Sequence, residues 1–155
     1  MSRALKLLAR RSRSEGELRD RLLANSRATP EEIQSCIARL KELGLVDDRR
    51  FVESYARSRL SSKPVGRQRL ARQLAAKAVD RKTIDEVLSQ IFEIEDEESL
   101  LVQVIENHVR LHGRPQDRTA KARLFAHLAR RGFEYDLIRR NLQAISKGID
   151  DDDGA

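Results

Sequence analysis

Residues 70–91 read LARQLAAKAVDRKTIDEVLSQI, and residues 124–145 read LFAHLARRGFEYDLIRRNLQAI. Aligned without a gap, the two stretches agree at Leu70/Leu124, Leu74/Leu128, Ala75/Ala129, Ile84/Ile138, Leu88/Leu142 and Ile91/Ile145. A third copy lies upstream. Leu18 and Leu22 match the leading leucine pair, and Ile33, Ile37 and Leu40 match the trailing set. This copy carries one extra residue in its turn, SRATPEE, where Thr29 suits an N-cap and Pro30 the first helical position. A pattern written three times at near-constant spacing predicts a tandem array.

Each copy is a helix pair, because its apolar residues recur every three or four positions and so fall on one stripe. A further helix precedes each pair. In the first copy it spans residues 4–10. In the second it spans 48–60, with Phe51, Val52, Tyr55 and Leu60 on one face. In the third it spans about 96–111, with Leu100, Leu101, Val104, Ile105 and Val109 inward. Ser14 with Glu17 three residues later has the form of a capping box. Gly44, Gly66, Asp80, Asp117 and Gly132 punctuate the turns.

The predicted fold is therefore all-α: three tandem three-helix repeats forming an elongated, curved array. Repeat 1 covers residues 1–45, repeat 2 residues 46–93 and repeat 3 residues 94–147. An acidic tail, 148–155, is expected to be disordered. That tail could compete with a polyanion for basic residues, although a plain solubilising end accounts for it as well.

Composition agrees. Of 155 residues 36% are charged and only 4% aromatic, and no run of alternating β-branched residues predicts a sheet. The single cysteine, Cys36, has no internal disulfide partner, which favours a reducing compartment. No apolar stretch approaches the roughly 20 residues that span a bilayer, and the N-terminus, interrupted by Lys6 and Arg10, lacks the form of a signal peptide. A cytoplasmic protein without membrane contact is expected.

The net charge of +6 is unevenly placed. Residues 49–82 hold eleven Lys/Arg against two acids, whereas residues 83–117 are strongly acidic. Such blocks suit a polyanion-facing surface. In the middle repeat, Leu70, Ala71 and Leu74 point inward, so Arg69 and Arg72 should face outward. Lys63 and Arg67 lie at the start of that helix, where backbone N–H groups favour an anion. Arg49, Arg50 and Arg57 lie on the preceding helix, away from its apolar stripe. Arg130, Arg131, Arg139 and Arg140 in repeat 3, and Arg10, Arg11 and Arg13 in repeat 1, are secondary candidates. Guanidinium groups pair with phosphate and carboxylate alike, so the patch suits DNA or an acidic protein rim.

Other features read structurally. Asp47 and Asp48 are expected to cap a helix. His108 and His112 share a helix face, but no third ligand completes a metal site and His127 has no placed partner. Cys36 is expected to pack, and Phe51, Tyr55, Phe92, Phe125, Phe133 and Tyr135 to fill core positions. No phosphate loop or catalytic triad is present, so neither an enzyme nor a cofactor is expected.

The sequence resembles the bacterial RecX proteins, regulators of the RecA recombinase. The resemblance rests on LLARRSRSEGELRDRL, GLVDDRRFVESYARSRL, GRQRLARQL, HGRP and LARRGF followed by EYDLIRR, in that order at repeat spacing. In this family the turn between helices two and three ordinarily reads Lys-Gly-apolar. Here repeat 2 has Lys77-Ala78-Val79, and only repeat 3 keeps the glycine, Gly132. Ala78 at a position favouring positive φ costs roughly 1 kcal/mol. The resemblance implies a non-catalytic monomer that lies along the groove of RecA filaments on single-stranded DNA. There it would limit filament growth, strand exchange, ATP hydrolysis and co-protease activity. Duplex DNA is a second candidate ligand. The alternative reading is a helical-repeat DNA-binding protein without a filament partner.

Overall fold

The computed structural model describes the backbone of residues 1–150 and the side chains of residues 1–145. The described residues form nine helices and no strand. They are α1 (Ser2–Arg10), α2 (Glu15–Asn25), α3 (Pro30–Glu42), α4 (Asp48–Ser62), α5 (Arg67–Ala75), α6 (Arg81–Ile94), α7 (Glu97–His112), α8 (Arg118–Arg130) and α9 (Tyr135–Asp150). They fall into three consecutive triplets, as the periodicity predicts. The acidic tail lies outside the described residues beyond Asp150, to which α9 extends.

Capping sets the helix starts. Thr29 and Glu32 form a complete capping box on α3, each side chain meeting the other's backbone N–H, with Pro30 in the first turn. At α2 only half of the expected box forms. Ser14 Oγ accepts the Glu17 N–H at 3.0 Å, but the Glu17 carboxylate turns to Arg11. Asp96 and Asp117 cap α7 and α8.

Packing divides the chain into two compact units. The first is Met1–Arg57 with Ala71–Gln90; the second is Ser58–Leu70 with the residues from Ile91 onward. In the first, α1 packs on α2 and α2 on α3. Ala4, Leu18, Leu22, Ile33, Ile37, Leu40 and Val46 form one buried cluster there. In the second, α7, α8 and α9 bury Leu100, Leu101, Val104, Ile105, Leu124, Leu128, Phe133 and Ile138 together. Each such side chain withdrawn from water contributes about 1.5–3 kcal/mol. The middle triplet is shared out: Phe51, Val52, Leu74, Ile84 and Leu88 are buried in the first unit, Val65 and Leu70 in the second.

The turns between helices two and three differ as the sequence suggests. Ala78 has φ +56°, and the equivalent Gly132 has φ +91°. The first copy spends its extra residue differently: Ser26, after α2, is extended at φ −129°. No left-handed residue is then required there.

Each unit also contains a joint in which the start of one repeat's second helix meets the next repeat. In the first joint, Ser14 Oγ donates to the Lys77 carbonyl, and the Glu15 N–H donates to Asp48 Oδ1 at 2.8 Å. A Cβ on Gly16 would lie 2.3 Å from the Ala78 carbonyl oxygen. In the second, the Gly66 N–H donates to the Arg131 carbonyl at 2.9 Å, and the Arg67 N–H to Glu97 Oε1 at 3.0 Å. A Cβ on Gly66 would lie 2.3 Å from the Gly132 carbonyl oxygen. Glycine is required at these positions because backbone approaches backbone more closely than a side chain permits.

Candidate functional site

The basic residues divide by what they touch. Arg13 is the clearest departure from the sequence reading, which places it on a binding surface. It is only 7% exposed, its Nε–H donates to the Leu7 carbonyl at 3.4 Å, and Nη1 lies 3.8 Å from Glu17. Burial is the main cause lowering its pKa from the ordinary arginine value. Arg13 packs into the first unit's fold and exposes little of its charge.

The second joint involves four more, Arg69 and Arg131 through their guanidinium groups and Arg67 and Arg130 through their backbones. Arg69, expected to face solvent, is partly buried and donates from Nη1 to the Arg130 carbonyl at 3.1 Å. Arg131 is partly buried and donates to the Pro64 carbonyl at 2.6 Å. Arg67 contributes its backbone N–H to Glu97, so the start of α5, read as an anion site, already holds a carboxylate. Arg130 supplies the acceptor to Arg69 while its own side chain is exposed. The outward face of α5 meets the next repeat, not only water.

Others are exposed but paired. Arg49 contacts Glu86 at 3.0 Å and Gln90 at 3.3 Å; Arg11 contacts Glu17; Arg139 contacts Asp136 at 3.2 Å. Exposed ion pairs of this kind contribute about 1 kcal/mol or less, so they can exchange for an incoming anion. Arg10, Arg50, Arg57 and Arg72 in the first unit, and Lys63, Arg130 and Arg140 in the second, expose side chains without an acidic partner among the described residues. Arg50 borders a cleft of about 460 Å³ with Arg13, Asp47, Phe51, Leu5 and Leu8.

The two aspartates of GLVDDRRF have separate tasks. Asp47 caps α4 by accepting the Arg50 N–H at 3.0 Å, as predicted. Asp48 instead joins repeats, accepting the Glu15 N–H. Its counterpart is Glu97, at the start of α7. Burial is the leading cause raising both carboxyls above their ordinary values, against the backbone hydrogen bond that each accepts.

Sequence reasoning missed both joints and one cluster. His127 comes within 5.6 Å of His108, ring centre to ring centre, and His108 within 4.6 Å of His112. No group of three or more His, Cys, Asp or Glu among the described residues is arranged to hold a metal ion. Of the aromatics, Phe51 and Phe133 are buried as expected, whereas Tyr135 is 64% exposed and packs its ring 5.6 Å from Phe125. Its place at the first position of α9 leaves one side of the ring in water. Cys36 packs partly buried against the first unit's core.

No described helix is long and apolar enough to cross a membrane. Family models for the first, second and third three-helix domains of RecX match residues 1–40, 47–88 and 95–142 in that order. The chain is 32% identical over 142 residues to the regulatory protein RecX of Chlorobium phaeobacteroides (strain BS1), covering 92% of this chain and 90% of that protein. It is 36% identical over 149 residues to the regulatory protein RecX of Mycolicibacterium vanbaalenii, covering 89% and 79%. The crystal structure of RecX from Lactobacillus salivarius shares the fold, with a TM-score of 0.81 at 22% identity over 94% of this chain and 93% of that one. With its three triplets each matched in sequence and both relatives covered over more than three quarters of their length, the chain belongs to the RecX family of regulatory proteins.

Proposed function

We propose that the chain regulates RecA by binding its filaments on single-stranded DNA along the helical groove. Bound there, it limits filament growth and with it strand exchange, ATP hydrolysis and co-protease activity. Membership of a family named for regulation, over all three repeats, carries this reading. The exposed cations of the first unit, Arg10, Arg50, Arg57 and Arg72, supply the chemistry for DNA phosphates or filament carboxylates. The second unit adds Lys63, Arg130 and Arg140. Two separately basic units acting on one filament gain from multivalency. No catalytic step is assigned to the chain.

The test is a titration into RecA hydrolysing ATP on single-stranded DNA. The intact chain should suppress hydrolysis. Arg57→Glu with Arg72→Glu, two exposed changes outside both joints, should raise the concentration for half-suppression by about tenfold or more. DNA binding without any effect on hydrolysis would favour a helical-repeat DNA-binding protein instead.

A further inference from the structure

The histidines of this chain number three, and the second unit gathers all of them in one place. His108 and His112 stand one turn apart on α7, and His127 reaches across from α8. They lie where two clefts adjoin. One, of about 260 Å³, is bordered by Lys63, Pro64, Asn107, Arg131 and the three histidines. The other, of about 280 Å³, is bordered by His108, His112, Arg114, Pro115 and Arg123.

The charged lining of both clefts is one-signed among the described residues. Lys63 comes from the end of α4, Arg114 from the loop after α7, and Arg123 and Arg131 from α8 or its end. Arg130 adds its charge toward His127. Among the described residues, no carboxylate borders either cleft. The nearest described acids by position are Glu106, which borders a neighbouring cleft with Arg110 and Arg114, and Asp117, which is engaged by the Ala120 N–H at 2.7 Å. None of the histidines has a salt-bridge partner among the described residues. A surface with 36% charged residues and abundant Glu ordinarily intersperses both signs. A trough whose ionisable lining, among the described residues, consists of cations and imidazoles has room for a counter-anion.

We propose that this trough is a binding site for phosphoryl oxyanions, and that histidine protonation sets its affinity. The anion sits between the imidazoles and the flanking Lys63, Arg131, Arg114 and Arg123. Arg131 is held in place by its bond to the Pro64 carbonyl, so part of the site is fixed in advance. With no anion present, protonation is opposed. Burial is the main cause holding His108 below the ordinary histidine range, with His112 adding to it. Burial likewise leads for His127, followed by Arg131, His108, Arg130 and His112. An anion reverses the sign of the local field, so proton and anion bind cooperatively. Affinity therefore rises as pH falls through the histidine range, about 6.5 for an unperturbed imidazole. The site does not depend on the filament reading: it belongs to the second unit alone and needs no RecA for its test.

Sulfate is the first probe, because its charge is constant across the range in which histidine titrates. Imidazole C–H resonances of the full chain are followed against pH in sulfate and in chloride at equal ionic strength. In sulfate the midpoints of His108 and His127 should rise by about half a pH unit or more. Lys63→Gln with Arg123→Gln, both exposed side chains, should remove most of that rise. Equal midpoints in the two salts would overturn the site, as would a rise undiminished in the double variant. An oligodeoxythymidine without terminal phosphate then separates two sources of the anion. A rise with the oligonucleotide supports a backbone phosphodiester as ligand. A rise with sulfate but not with the oligonucleotide supports a free or terminal phosphoryl group.

Discussion

The two joints use the same plan with different residues. In each, a backbone N–H at the start of a repeat's second helix, that of Glu15 or Arg67, donates to a carboxylate opening the next repeat's first helix, Asp48 or Glu97. In each, a neighbouring donor meets a carbonyl of the next repeat's turn. Ser14 uses its hydroxyl to reach Lys77, and Gly66 uses its backbone N–H to reach Arg131. The turns differ most. The second joint has glycine at the left-handed position and backbone tight against it; the first has Ala78. What is preserved is a set of backbone hydrogen bonds and close approaches, which several side chains can serve.

The comparison is broken most severely at Gly132. A Cβ there would lie 2.4 Å from the Arg69 backbone nitrogen, at φ +91°. Gly132→Ala should cost about 3 kcal/mol or more, read as a lower urea midpoint. Asp48→Ala comes next, because it removes the acceptor of the Glu15 N–H in a partly buried setting. A loss of about 1–3 kcal/mol is expected in the same assay.

Asp48→Asn should cost much less, since its amide oxygen still accepts, and it tests the charge. The folded-state pKa of Asp48 is raised above its unfolded value, so the folded chain binds the extra proton between those two values. This group therefore favours the fold increasingly as pH falls from neutral through the raised pKa. Glu15 and Asp80, whose folded pKa values are lowered, work the other way, and their contribution is lost in acid. The difference in stability between Asp48→Asn and the parent chain should shift in the variant's favour as pH rises from 4 to 7. A difference constant across that range would remove the charge argument. The smallest effect is expected at Ala78. Ala78→Gly relieves the left-handed alanine and should raise stability by up to about 1 kcal/mol, making the first joint resemble the second.

Much of the fold was legible because apolar spacing reports which side of a helix faces its own bundle. Leu18, Leu70 and Leu124, the repeated leading leucines, are fully buried. The left-handed turn at Ala78 was legible by alignment with Gly132. Spacing does not say what the opposite side of a helix meets. Arg69 and Arg131 are off their helices' apolar stripes, yet their guanidinium groups bind carbonyls 61 and 67 residues away. Arg13 lies outside a helix altogether, where periodicity has no voice. The histidine cluster was half legible: His108 and His112 share a face by spacing, but His127 arrives from another helix. Arg10, Arg50, Arg57 and Arg72 are exposed as read.

The reach of the first joint bears on how the chain is made. Ser14 leaves the ribosome 63 residues before Lys77, whose carbonyl it must meet. At about 5–20 residues per second, that is a wait of roughly 3–13 s. During that interval α1–α3 can collapse on their own leucines, but the first unit stays open at its seam until translation has passed the turn after α5.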